Sequence, residues 1–134
     1  MLDLFSALDI SASGMYAQRI RMNTIASNLA NYESYTPEGE PFRKLVPVFR
    51  AEENPQDKTE VKVRVIAILQ IPDTKLVYDP DHPYADENGY VELPNIEPVK
   101  EMIDMITAVR SYEANLKAFS MTTEIAKLTL ELWK

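Results

Sequence analysis

The chain has 134 residues, no cysteine, 46% hydrophobic residues and a formal net charge of −7. This length suits one domain with a core, and the absence of cysteine excludes disulfides, thiol catalysis and cysteine-ligated metal. The acid is concentrated in residues 32–94, which carry thirteen acids and seven bases, while residues 1–31 are neutral and residues 95–134 carry six acids and five bases. An acidic middle argues against phosphate-backbone binding, and nearly neutral ends can pack against copies of themselves without self-repulsion.

The first residues, Met1–Phe5, contain no basic leader and no long apolar run. We therefore expect no Sec-type signal peptide, and we expect any export to use a route without signal cleavage. No stretch of the sequence approaches the roughly 18 apolar residues that a membrane-spanning helix needs.

Residues 3–31 have the seven-residue spacing of a helix that packs on another helix. One position of the repeat is fully apolar and its companion position is half polar. The first set is Leu8, Met15, Met22 and Leu29, and the companion set is Leu4, Ser11, Gln18 and Ile25. Asp3 or Ser6 is expected to cap the start of this helix.

Low intrinsic propensity makes this first helix conditional on a partner. Gly14 and seven Ser, Thr or Asn residues handicap it by roughly 4–5 kcal/mol relative to alanine. Burial of its large apolar side chains, at about 1.5–3 kcal/mol each, outweighs that handicap only where a partner surface exists. We predict that the segment frays in the free monomer and orders on assembly.

The middle of the chain has strand-like segments joined by turn-rich links. Phe42–Arg50 is apolar with a central Pro47, which indicates an edge strand or a bulge. Glu60–Ile71 begins as an alternation, and from Val65 onward both faces are apolar. We therefore expect the end of this strand to be covered on both sides.

Two shorter strands are expected further along. The first is Lys75–Tyr78, and the second is Gly89–Leu93, introduced by the turn signal Asn88-Gly89.

Residues 95–134 predict a second long helix, in which two sets of mostly apolar residues each recur every seven residues. One set is Met102, Val109, Leu116, Thr123 and Leu130, and the other is Met105, Tyr112, Phe119, Ala126 and Trp133, widened at the start by Val99, Ile103 and Ile106. Asn95 is the expected cap, with Pro98 tolerated in the first turn. A helix of about 40 residues is about 60 Å long, more than a small monomer covers, so part of it is expected to meet another chain.

These elements predict an α+β fold. Two long terminal helices form a coiled-coil-like antiparallel pair, with a small antiparallel β insert between them. The expected organisation is an N-terminal axial helix at 1–31, a loop and small β domain at 32–94, and a C-terminal axial helix at 95–134, all in one structural unit.

Chemistry for catalysis or metal binding is sparse. The one histidine, His82, lies between Pro80 and Pro83, and a turn residue is the favoured interpretation over a catalytic or metal role. The acids Asp79, Asp81, Asp86 and Glu87 lie in the same stretch. A calcium loop needs alternating oxygen ligands and a mid-loop glycine, which this stretch lacks. No nucleophile has a histidine base.

Four segments carry a family resemblance that covers nearly the whole chain. Residues 23–31 (NTIASNLAN) resemble the segment that closes the first helix in bacterial flagellar axial proteins, the rod, hook and hook-associated subunits. Residues 36–44, 75–91 and 110–115 are similar to segments of the proximal-rod branch of that family. Tyr32-Glu33 and Gly39-Glu40 depart from the family pattern, and both departures lie in the loop after the first helix.

The resemblance implies a non-enzymatic structural subunit without a cofactor. It implies export, unprocessed, through the flagellar type III apparatus. It implies assembly into the basal-body rod, which crosses the periplasm and transmits torque. The implied partners are copies of itself and other rod proteins, with no nucleic acid, no direct membrane insertion and no small-molecule substrate.

The apolar positions of the two helices predict the assembly interface. They are Leu4, Leu8, Met15, Met22, Ile25, Leu29, Met102, Met105, Val109, Tyr112, Leu116, Phe119, Leu130 and Trp133. The alternative from another class is a soluble coiled-coil adaptor or export chaperone. A small hydrolase would require a catalytic role for His82.

Overall fold

In the computed structural model, which describes residues 3–133, two long helices flank four strands. The elements are α1 (Leu4–Ala30), β1 (Lys44–Asn54), β2 (Asp57–Ile71), β3 (Thr74–Tyr78), β4 (Tyr90–Pro94) and α2 (Pro98–Leu132). This order confirms the expected α+β class with helices at both ends. Residues 1, 2 and 134, which the predicted terminal segments include, lie outside the described residues, and the three-part division stays a prediction.

Helix α1 begins at one of its two candidate caps. The Asp3 carboxylate accepts a hydrogen bond of 2.7 Å from the Ser6 backbone N–H, which satisfies a helix-terminal donor. Further along, the hydroxyls of Ser13 and Thr24 donate to the carbonyls of Ile10 and Arg21, three residues earlier. The helix therefore accommodates its polar residues by bonding them back to its own backbone.

Helix α2 begins later than predicted, and the expected cap is wrong. Glu97, not Asn95, holds the cap position, and its side chain makes no capping hydrogen bond. Pro98 explains the shift, because a residue that precedes proline is disfavoured in helical conformation while proline itself fits the first turn. The helix has 35 residues, which corresponds to about 52 Å.

The two helices pack antiparallel over most of their length. A Cβ added to Gly14 would lie 2.7 Å from Oδ1 of Asn115, so the helix backbones approach closely there. Asn28 contacts Glu101 near the other end of the pair. Both contacts fit one register, in which Leu4 lies level with Ile125. The last two turns of α2 therefore extend past the first residue of α1.

Strands β1 and β2 form a long hairpin that packs on α1. Pro47 lies on an edge strand, because the sheet has two strands. The register shift lies nearby, between Val48 and Phe49, where Ile66 of β2 has no partner. The expectation that the end of β2 is covered on both sides is wrong. Ile66 and Ile68 are each 48% exposed, because no further strand or layer within residues 3–133 covers that end of the ribbon.

Strands β3 and β4 form a separate two-stranded sheet, so the β insert contains two sheets. The turn before β4 uses Gly89 at φ +84°, a conformation that favours glycine. Val91, Leu93 and Ile96 provide much of the buried apolar core beside this sheet. Within residues 3–133, neither helix is long and apolar enough to cross a membrane.

Candidate assembly interface

A buried polar junction fixes the position of both helices and the hairpin. The Asn28 amide donates to the Leu45 carbonyl at 2.9 Å, and its oxygen accepts from the Leu45 N–H at 2.8 Å. The same amide lies 3.4 Å from the Glu101 carboxylate, which is 2% exposed and forms an ion pair of 3.1 Å with Lys44. One cluster thereby ties α1, β1 and α2 together.

This junction was not predicted from the sequence. Glu101 lies four residues before Met105 on the apolar side of the second helix, and Asn28 precedes the heptad position Leu29. A polar residue at such a position can specify the register of two helices, so Glu101 and Asn28 could have indicated a polar contact between them. The pattern alone does not identify its partner.

The covered face of α2 forms a regular seam. Its positions follow alternating steps of four and three residues, and every one is buried or half-buried. We call this set the inner seam. It comprises Glu101, Met105, Ala108, Tyr112, Asn115, Phe119, Thr122 and Ala126.

Nine of the predicted interface residues lie partly or fully covered within the monomer. Ile25 is buried, and the others are half-buried. Met15 and Tyr112 line the same cavity of about 270 Å³ beside the helix pair. These side chains therefore contribute first to the fold of a single chain. The half-buried residues are Leu4, Leu8, Met15, Met22, Leu29, Met105, Tyr112 and Phe119.

The other five predicted interface residues, Met102, Val109, Leu116, Leu130 and Trp133, are exposed. Leu130 lies in the last turn of α2, beyond the point where α1 begins, and Trp133 follows the helix at a position that continues the spacing of the inner seam. Their exposed fractions are 68% and 85%. We call residues 126–133 the overhang.

The opposite side of α2 carries a second uncovered apolar surface at its start. Its members recur at steps of three and four residues, and each is more than half exposed. Farther along the same side the residues are polar, beginning with Arg110 and Glu113. We call this surface the outer stripe, which comprises Val99, Met102, Ile103 and Ile106.

A third apolar surface, which the seven-residue spacing did not predict, lies near the end of α2. Met121, Ile125, Leu128 and Leu132 recur with alternating steps of four and three, and all are exposed. The positions predicted from the seven-residue repeat are neighbours of these residues on the helix. The same steps of four and three, read from Met121, would have indicated this surface.

The segment around His82 forms a turn. The His82 Nδ1 accepts a hydrogen bond of 3.0 Å from the Tyr84 backbone N–H, and the ring lies 5.6 Å from that of Tyr35. Within residues 3–133, no group of three or more histidine or acidic side chains is placed to hold a metal ion.

Comparisons with known proteins match both helices and the whole chain. Residues 8–36 match the family described as flagella basal body rod protein, and residues 87–132 match the C-terminal family of flagellar basal body rod FlgEFG proteins. The chain is 70% identical over 134 residues to flagellar basal-body rod protein FlgC of Aquifex aeolicus, with each chain covered completely.

More distant relatives align over nearly their full length as well. The protein of the same description from Salmonella typhimurium is 42% identical over 131 residues, covering 96% of this chain and 97% of the relative. The one from Bacillus subtilis is 34% identical, covering 97% of this chain and 98% of the relative.

Proposed function

The chain belongs to the FlgC family of flagellar basal-body rod proteins and is a structural subunit of the rod, and we propose that its uncovered helical surfaces make the contacts that build it. The overhang and the outer stripe of α2 are the principal contacts in this proposal. Their partners are copies of the same chain and other rod proteins.

The observation that carries this proposal is the amount of surface the chain leaves uncovered. Its accessible surface is 9470 Å², whereas a compact monomer of 15.3 kDa exposes about 7,100 Å². The excess of about 2,400 Å² is in the range buried by stable protein interfaces. Much of the apolar part lies on α2.

The finer features of the role belong to the same proposal. The subunits stack helically into a shaft that crosses the periplasm and transmits torque, and the chain performs no catalysis. It reaches its site through the type III export apparatus without signal cleavage. An unfolded chain without cysteine suits such a route, because no disulfide has to be opened during transport.

A charge introduced into the outer stripe tests the interface. Ile106→Asp places a carboxylate where the proposal requires a dry contact, so we expect loss of rod assembly. Ser120→Asp is the matched control, because it adds the same charge to an exposed position in the polar stretch of the same side. The measurement is swimming and recovery of basal bodies from cells in which this chain replaces the resident rod protein.

Normal swimming with Ile106→Asp would contradict the assignment of the outer stripe. Circular dichroism of each purified variant shows whether the monomer still folds, which separates an assembly defect from a folding defect.

A further inference from the structure

The whole net charge of the chain lies on two short segments. Residues 35–41 and 76–92 contain seven of the 21 acids and none of the 14 bases, which leaves fourteen acids and fourteen bases in the rest of the chain. The turn between Tyr35 and Pro41 and the β3–β4 hairpin bring these two segments together, since Tyr35 pairs with Pro41 and its hydroxyl donates to the Glu92 carbonyl.

A groove of about 320 Å³ opens between the two segments. One wall is the stacked pair of Tyr35 and Tyr84, whose ring centroids lie 4.5 Å apart. The other wall is the outward face of the β3–β4 sheet, where Leu76 and Tyr90 project. Gly39, at φ +85°, lies at the end of the groove beside the Tyr84 ring. A Cβ added to Gly39 would lie 3.5 Å from Cε1 of Tyr84.

The apolar lining of this groove is open to solvent. Leu76 is 66% exposed, Tyr84 54% and Tyr90 44%. Exposed apolar and aromatic side chains grouped in a concave surface are typical of an interaction site.

The rim of the groove is negative and its acids are mostly without ion-pair partners among the described residues. Asp86 and Glu92 line it directly. Among the described residues, Glu40 is the only one of the seven acids in an ion pair, at 3.8 Å from Arg43. Burial raises the pKa of Tyr35, and the nearby charge of Glu92 raises that pKa further. The tyrosine wall therefore lies within the field of the rim.

We propose that this groove docks an extended, arginine-bearing segment of another protein. A guanidinium is planar, stacks on aromatic faces and pairs with carboxylates, so it matches a groove made of tyrosines and acids. Groove-to-groove pairing of two copies is disfavoured, because each copy brings the seven acids of residues 35–41 and 76–92, and like charges repel. The site lies away from the terminal helices and does not depend on their proposed contacts.

A peptide titration tests the proposal on the full chain. The probe is an end-blocked peptide of the sequence Arg-Pro-Arg-Pro-Arg, which proline keeps extended. We expect saturable NMR shift changes confined to the groove, at Leu76, Tyr84, Tyr90 and Glu92, with affinity that falls as salt rises. The same peptide with citrulline in place of arginine has no charge and is expected not to bind.

Paired variants locate the contact. Glu92→Gln removes one rim charge and keeps the backbone carbonyl that Tyr35 uses, so we expect binding about fivefold weaker, the upper range for an exposed ion pair. Glu53→Gln removes the same charge from an exposed site on β1 and is expected to leave the affinity unchanged.

Four results would overturn the proposal. The first is absence of saturable binding, and the second is equal weakening by the two variants. The third is equal binding of spermidine at matched charge, because it would reduce the site to general cation attraction. The fourth is concentration-dependent shifts at the groove without peptide, because these would assign the groove to a second copy.

Discussion

The side-chain amide of Asn28 forms two hydrogen bonds with the backbone of a single strand residue, one through its nitrogen and one through its oxygen. It donates to and accepts from Leu45, and it also contacts the carboxylate of Glu101. Buried polar groups with all partners present specify one arrangement, since any shift in register leaves them unpaired. At this scale the apolar positions could be predicted from the sequence and the junction could not, because the partners of Asn28 lie 17 and 73 residues away.

Replacing Asn28 with alanine tests the junction. The variant leaves the Leu45 backbone groups without their partner, so we expect the free energy of unfolding to fall by about 1–3 kcal/mol. Denaturant unfolding measures the change. Asn23→Ala, at an exposed position of the same helix, is the control, and an equal effect of both variants would contradict the role assigned to Asn28.

Gly14 is the residue that permits close approach of the two helices. A leucine there overlaps Asn115, whose amide is held by a hydrogen bond of 2.9 Å to the Ser111 carbonyl. We expect Gly14→Leu to destabilise the chain by about 1–3 kcal/mol despite its better helix propensity. Thermal unfolding measures this, and adding Asn115→Ala should recover part of the loss; no recovery would place the strain elsewhere.

The helices were the most predictable elements, because long apolar repeats with a seven-residue period indicate little else. The start of α2 was misplaced because asparagine is a good cap in general, whereas Pro98 determines the local conformation here. The prediction that β2 is covered on both sides was wrong for another reason. A strand with both faces apolar usually indicates burial, but Ile66 and Ile68 remain half exposed in the single chain.

The start of α1 depends on pH through its cap. The backbone N–H of Ser6 lowers the pKa of Asp3 from its ordinary value of 3.8. The cap therefore stabilises the folded state above pH 3.8, and that contribution is lost as pH falls through the lower folded-state pKa. Asp3→Asn caps without titrating, so between pH 5 and pH 2.5 the wild type should lose thermal stability relative to this variant.

A constant difference in melting temperature across that pH range would show that the Asp3 cap does not contribute. Helix content followed by circular dichroism in the same samples reports whether the loss begins in a helix.

The overhang of α2 is expected to matter for assembly and little for the monomer. Ending the chain after Lys127 removes residues 128–134, and of these the described residues 128–133 are exposed and lie beyond α1 in the observed register. We expect a melting temperature within a few degrees of the full chain and loss of incorporation into the rod, measured by basal-body recovery. Normal incorporation would exclude the overhang from the interface.

The molecule as a whole has a small core for its length. Among residues 3–133, the buried hydrophobic core residues are Ala17, Ile25, Val91, Leu93, Ile96 and Ala108. Apolar surface that a compact domain would bury in its core is exposed to solvent on the long helices. Stability of the free chain is therefore expected to be low, and unequal between the β3–β4 region and α1.

Hydrogen exchange of the dilute monomer tests this imbalance. We expect amides of α1 to exchange faster than those of Val91 and Leu93, because the polar residues of α1 give it low intrinsic propensity. Binding to partner subunits should slow the exchange of α1. Equal protection of helix and sheet in the monomer would contradict the prediction that this segment orders on assembly.

The amide of Asn28 also occupies backbone groups at the edge of a sheet. A sheet edge with free backbone groups is a template on which other chains add as strands. Along β1, the outward groups of Leu45 are occupied by Asn28, and Pro47, two residues on, has no N–H to offer. That stretch of edge is closed to cross-β addition, so we expect the proposed contacts through the helices not to compete with strand addition there.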